Sequence, residues 1–90
     1  MNLQDAMYNW LSIKKVADER ESDHAAQDTR AFFEEILIED HGVSELDIEI
    51  EEPYYIVHFV KENDNRNMRF PIELIDALLR SIQNEPKYNQ

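Results

Sequence analysis

Three side chains that could act together on protons fall on one face of a predicted sheet. Asp47, His58 and Arg69 lie side by side across three strands in the pairing described below. Histidine exchanges protons near neutral pH, so this trio suggests a catalytic site. The pattern supplies no nucleophile, however, and such residues on an exposed sheet commonly form weak cross-strand ion pairs. We therefore predict a structural role for the trio and no enzymatic activity. An enzyme using His58 with Asp47 is the weaker alternative.

Metal and cofactor sites have little support in the sequence. The chain has no cysteine, and its histidines, His24, His41 and His58, are too far apart to form the short-range ligand pairs of zinc sites. The single glycine leaves no phosphate-cradling loop, so nucleotide-dependent chemistry is not expected either. We predict that the protein uses no metal and no cofactor.

A ladder of carboxylates lies along the most regular stretch of the chain, residues 45–51. Acidic and aliphatic residues alternate there, which predicts a strand with its acids on one face, spaced by about 7 Å. The ladder lacks the loop that wraps calcium, so the default prediction is a solvated surface. Its members are Glu45, Asp47, Glu49 and Glu51.

The charge of the chain limits its partners. Twenty acidic residues against nine basic ones give a formal net charge of -11. Such a charge repels nucleic acid and anionic lipid surfaces, so we expect neither as a partner. The absence of cysteine, of an N-terminal signal pattern and of a long apolar run predicts a cytoplasmic protein. A protein partner, particularly a basic one, suits the charge.

The length and the hydrophobic periodicity predict one compact domain over residues 1–84 and a flexible C-terminal tail over 85–90. A first helix should span 3–19, with Asn2 as its N-cap and Lys14 either extending to solvent or pairing with Asp18. Its apolar arc covers more than half the circumference, on a wheel of about 100° per residue. This helix, which contains Trp10, is therefore either deeply buried or part of a subunit interface.

A second helix is predicted from 23 to 41. Ser22 or Asp23 serves as its N-cap, and Gly42 provides the left-handed stop. The apolar phase changes across residues 18–23, which favours two helices over the alternative of one long bent helix.

Three strands follow, and their apolar residues predict the pairing. In the first hairpin the core-facing pairs are Ile50 with Tyr55, Ile48 with Val57, and Leu46 with Phe59. A second turn at residues 62–65 sets Met68 near Phe59 and Phe70 near Val57.

Pro71 begins a last amphipathic helix, which completes an α+β fold of order ααβββα with helices packed on the sheet. From the second helix onward this order resembles the double-stranded-RNA-binding domain in topology. That family holds phosphates with a basic cluster at the start of its last helix, whereas this chain has Pro71-Ile72-Glu73-Leu74-Ile75-Asp76 there. The resemblance therefore does not extend to RNA binding.

The acidic side of the sheet is the predicted binding surface. Tyr54, Ile56 and Val60 should stand there among the carboxylates, with His58 between them, and this composition suits a basic protein. Alternatively, the first helix covers this face and forms a helix–sheet–helix sandwich.

Three functional hypotheses without catalysis follow. We expect a small cytosolic interaction or regulatory module of a bacterial type, which binds a protein through the acidic face or the first helix. A sharper form is an acidic inhibitor or nucleic-acid mimic that occupies a basic protein. The third is a structural homodimer held by the first helix. The candidate interaction residues are Glu45, Asp47, Glu49, Glu51, Tyr54, Ile56, His58 and Trp10.

Overall fold

The computed structural model describes residues 1–84, and the predicted flexible tail lies outside the described residues. The fold is α+β, with the predicted order ααβββα confirmed. The three strands form one antiparallel sheet in the order β1-β2-β3. The elements are α1 (Leu3–Glu19), α2 (His24–Glu35), a π-helical segment (Ile36–Asp40), β1 (Val43–Glu51), β2 (Tyr54–Lys61), β3 (Asp64–Pro71) and α3 (Ile72–Gln83).

Helix α1 has the predicted bounds. The Asn2 side-chain oxygen accepts a 2.7 Å hydrogen bond from the Asp5 backbone N–H, which satisfies a donor at the helix start. Lys14 Nζ lies 2.7 Å from Asp18 Oδ2, so the predicted i,i+4 pair forms. The wide apolar arc is explained within the protomer, because α1 contacts both other helices and contributes side chains to the main core.

The first two helices are separate, as their difference in phase predicts. Asp23 caps α2 by accepting a 3.1 Å hydrogen bond from the Ala26 N–H, and this bond lowers the pKa of the Asp23 carboxyl. The regular α-helix ends at Glu35, earlier than expected, and continues as the π-helical segment. Gly42 then stops the helix with φ +65° and donates its N–H to the Ile38 carbonyl at 3.1 Å.

The β1–β2 hairpin has the predicted register at its turn end. Ile50 pairs with Tyr55 and Ile48 with Val57. The predicted pairing of Leu46 with Phe59 is replaced by a β-bulge. Asp47 stands opposite His58 and Ser44 opposite Val60, so two residues of β1, Glu45 and Leu46, face Phe59 alone. Glu45 takes φ +53° at this point.

The predicted register of β3 is wrong by two residues. Met68 lies opposite Val57 and Phe70 opposite Tyr55. The cause is the turn, because only Glu62 and Asn63 connect the strands, and both have positive φ. The predicted four-residue turn would have placed the first β2–β3 pair further along β3. With the two-residue turn, pairing starts with Lys61 opposite Asp64.

The core lies on one side of the sheet. Tyr55, Val57 and Phe59 are buried there in a cluster with residues of α1 and α3. A second cluster joins the three helices through Val16, Ala17, Ala26 and Leu79. Helices α1 and α3 each contribute buried side chains to both clusters. No helix within residues 1–84 is long and apolar enough to cross a membrane.

Candidate protein-interaction face of the sheet

The side of the sheet opposite the core, here called the outer face, is open. Side chains alternate along β2, so Tyr54, Ile56, His58 and Val60 point away from the buried set. Helix α1 packs with the buried set on the other side, and no helix in the described part of the chain covers the outer face. Of the two alternatives raised by the sequence, the structure has the open face.

The outer face has three columns of different chemistry. Strand β1 contributes carboxylates and β2 an apolar column interrupted by His58. Strand β3 adds two amides and a guanidinium. Across the sheet the rows are Glu51, Tyr54 and Pro71; Glu49, Ile56 and Arg69; Asp47, His58 and Asn67; and Ser44, Val60 and Asn65. Ile56 is only 6% exposed, so the neighbouring side chains of the sheet shield it without a helix.

The predicted trio of Asp47, His58 and Arg69 does not assemble. Asp47 is opposite His58 as expected, but Asn67 takes the position on β3 because of the two-residue register difference. The imidazole Nε2 lies 2.8 Å from Glu49 Oε1, the diagonal neighbour, and both side chains are about half exposed. Arg69 instead lies opposite Ile56, and its guanidinium carbon is 5.2 Å from the centre of the Tyr54 ring.

The bulge changes the role of Glu45. Only Asp47, Glu49 and Glu51 keep the even spacing of the ladder, because the extra residue interrupts the strand before them. Glu45 lines an open depression of about 270 Å³ at the end of the outer face, together with His58, Phe59, Val60, Asn65, Arg66 and Asn67.

The groups that line this depression are mostly polar. Carboxylate, imidazole, amide and guanidinium groups line it, and they can hold a polar side chain such as an amide by hydrogen bonds. Among the residues that the structure describes, its lining includes no serine, threonine or cysteine to act as a nucleophile. Likewise, no three His, Asp or Glu side chains within the described range converge to hold a metal ion.

Trp10 is not part of this surface. It is 3% exposed and lies in the main core beside Met7 and Leu11, which are fully buried. The candidate assignment of Trp10 to an interaction surface is therefore corrected, because its ring is used inside the protomer. The same packing removes the physical reason for a homodimer through α1.

No protein-family model, no curated protein and no solved structure matches this chain.

Proposed function

We propose that this protein is a non-catalytic interaction module that binds a basic protein segment through the outer face. The observation that carries the proposal is the open face itself, where the exposed carboxylates of β1 lie beside the partly exposed apolar side chains of Tyr54 and Val60. A partner with basic and apolar side chains would find both kinds of contact there.

The physical argument combines contact area with charge. Tyr54 offers a large, rigid surface at a small entropic cost, and Arg69 already holds its ring from the β3 side. The carboxylates and the net charge of -11 would accelerate encounters with a basic surface and disfavour acidic competitors. The absence of a covering helix leaves these groups accessible in the described chain.

A mimic of nucleic acid is the alternative, and the outer face favours it less. A phosphate mimic needs negative charge across its surface. Here the acids form only one column, while the β3 column is Asn65, Asn67 and Arg69. This mixed composition suits an amphipathic protein segment as partner. It suits the phosphate-binding site of a nucleic-acid-binding protein less well.

The test uses a peptide of about seven residues in which lysine and valine alternate, titrated into the isotope-labelled protein and followed by amide chemical shifts. We expect shifts concentrated on β1 and β2, and affinity that falls as salt is added. Shifts spread evenly over the helices, or affinity independent of salt, would contradict the proposal.

Two variants of equal charge sharpen the test. Asp47→Asn/Glu49→Gln/Glu51→Gln removes the carboxylate column and should weaken binding about tenfold, since each exposed pair contributes a fraction of a kcal/mol. The matched control changes three exposed helical acids, Glu19→Gln/Asp28→Asn/Glu35→Gln. It should weaken binding by less than about threefold, because only long-range attraction is lost. Equal losses would mean that net charge alone attracts the peptide.

A further inference from the structure

Strand β1 is an edge strand, and side chains on both of its faces are exposed. No strand in the described part of the chain pairs with its second side. On the outer face Asp47 and Glu51 are exposed, and within residues 1–84 the Glu49 carboxylate contacts His58 at an exposed position. On the core side Ile50 is 64% exposed although it lies in the register of buried residues. The edge thus offers backbone groups, carboxylates and apolar surface together.

At the opposite edge of the sheet, a core-side residue of β3 is buried by a helix. Phe70 is 5% exposed, and the ring of Tyr8 from α1 lies 6.3 Å from it, centre to centre. Phe70 and Ile50 flank Tyr55 in the same row of the sheet, so the comparison is direct. At that row the helices bury the β3 side and leave the β1 side exposed.

We propose that the β1 edge from Asp47 to Glu51 accepts an extended segment of a basic partner as a fourth strand. This inference rests on the proposed function and specifies the partner's shape. Lysine or arginine at alternate positions would lie beside the β1 carboxylates on the outer face, at the roughly 5 Å separation of cross-strand neighbours. Aliphatic side chains at the intervening positions cover Ile48 and Ile50 on the core side. Main-chain hydrogen bonds supply affinity, and the alternation supplies specificity.

The charge pattern selects a basic partner over a second copy of this chain. Pairing two β1 strands would bring carboxylates next to carboxylates on the outer face, which is destabilising. The bulge at Glu45 and Leu46 interrupts the regular edge, so it limits the accepting segment to the residues that follow. The alternation that makes β1 amphipathic therefore also specifies its complement, a segment of alternating basic and aliphatic residues.

The decisive experiment measures how methylation of the main-chain nitrogens of the alternating lysine–valine peptide changes its affinity for the protein. Four forms are titrated into the intact protein: unmodified, N-methylated at the lysines, N-methylated at the valines, and N-methylated at both. An added strand directs alternate N–H groups towards the edge. We expect the fully methylated form to bind at least about tenfold more weakly, since several main-chain hydrogen bonds are lost together. At least one half-methylated form should stay within about threefold of the unmodified peptide.

The outcomes separate this inference from the proposed function. If all four peptides bind equally with shifts on the outer face, strand addition is wrong and the interaction module stands. If the unmodified peptide causes no shifts on β1 or β2, the proposed function fails, and this inference with it.

A pair of variants checks the core-side contacts independently. Ile50→Gln should weaken peptide binding about fivefold while leaving the fold intact, because the side chain is already exposed. The matched control is Leu78→Gln on α3, where the leucine is 40% exposed. It should leave binding unchanged. Equal effects of the two substitutions would overturn the assignment of Ile50 to the binding edge.

Discussion

Tyr55 donates a 2.9 Å hydrogen bond from its hydroxyl to Asp76 Oδ1, and this contact joins the central strand to α3. Tyr55 is only 5% exposed, and Lys15 Nζ lies 5.2 Å from the centre of its ring. One ring therefore links the sheet to both α1 and α3.

The stability of the protein should depend on this ring at alkaline pH. Burial, and then the hydrogen bond to Asp76, raise the pKa of Tyr55 to about 12 from an ordinary value of 10.0. Since the folded-state pKa is above the unfolded one, the stabilisation is complete below pH 10 and lost as the pH rises through 12. Tyr55→Phe removes this dependence.

Urea denaturation of both proteins between about pH 9 and pH 12 measures the difference. The wild type should lose on the order of 2 kcal/mol more than Tyr55→Phe across that range, at about 1.4 kcal/mol for each pKa unit. Parallel pH profiles would show that the hydroxyl is not held in the folded state as the structure has it.

Ser12→Ala should stabilise the protein. The serine is 5% exposed within α1, and its hydroxyl oxygen has no hydrogen-bond partner among the described residues. Removing a buried unsatisfied hydroxyl and introducing a better helix former should gain about 1 kcal/mol in the free energy of unfolding. Urea denaturation near neutral pH is the measurement. A loss of stability would indicate that the hydroxyl has a partner in solution.

His58→Ala should change stability by less than about 1 kcal/mol. The side chain is 44% exposed, and its contact with Glu49 is an exposed pair that contributes little. The control is Val57→Ala, the adjacent residue on the core side, which is fully buried and should cost on the order of 2 kcal/mol. Thermal or urea unfolding of the two variants checks the assignment of faces. Similar losses would mean that the alternation along β2 has been misplaced.

Gly42→Ala should destabilise the protein by about 1 kcal/mol, since alanine is strained at positive φ. The glycine has φ +65°, and no atom of residues 1–84 lies within 4 Å of a β-carbon built there, so the cost is conformational rather than steric. Gly42→Asn should cost less, because asparagine tolerates this region better. Equilibrium unfolding compares the two. An equal cost for both substitutions would point to a contact with the added side chain.

The elements that sequence reasoning placed correctly are those specified by local interactions. The bounds of α1 follow from the Asn2 cap and an apolar repeat, and both act within a few residues. The hairpin register near Ile50 and Tyr55 follows from matching apolar residues across a short turn. The π-helical end of α2 and the bulge at Glu45 had no comparable local signal in the sequence.

The arrangement of the candidate site depends on interactions between residues that are distant in the sequence. Whether Arg69 lies opposite His58 depends on the length of the second turn. Because the register differs by two residues from the predicted one, Arg69 lies opposite Ile56 and its guanidinium is beside the Tyr54 ring. The exposed Ile50 was not recognised either, since its apolar character predicted burial. Only the three-dimensional path of the helices shows that it lies beyond their cover.

The sequence by itself determined the elements, the acidic character and the alternation in β1, because these depend on local periodicity and composition. It could not decide which side of β2 is open, since Tyr54, Ile56 and Val60 are as apolar as Tyr55, Val57 and Phe59. Tertiary packing decided this. Helix α1 contacts α2 and α3 and lies on the Tyr55 side, so its wide apolar arc is satisfied there and the acidic face remains exposed.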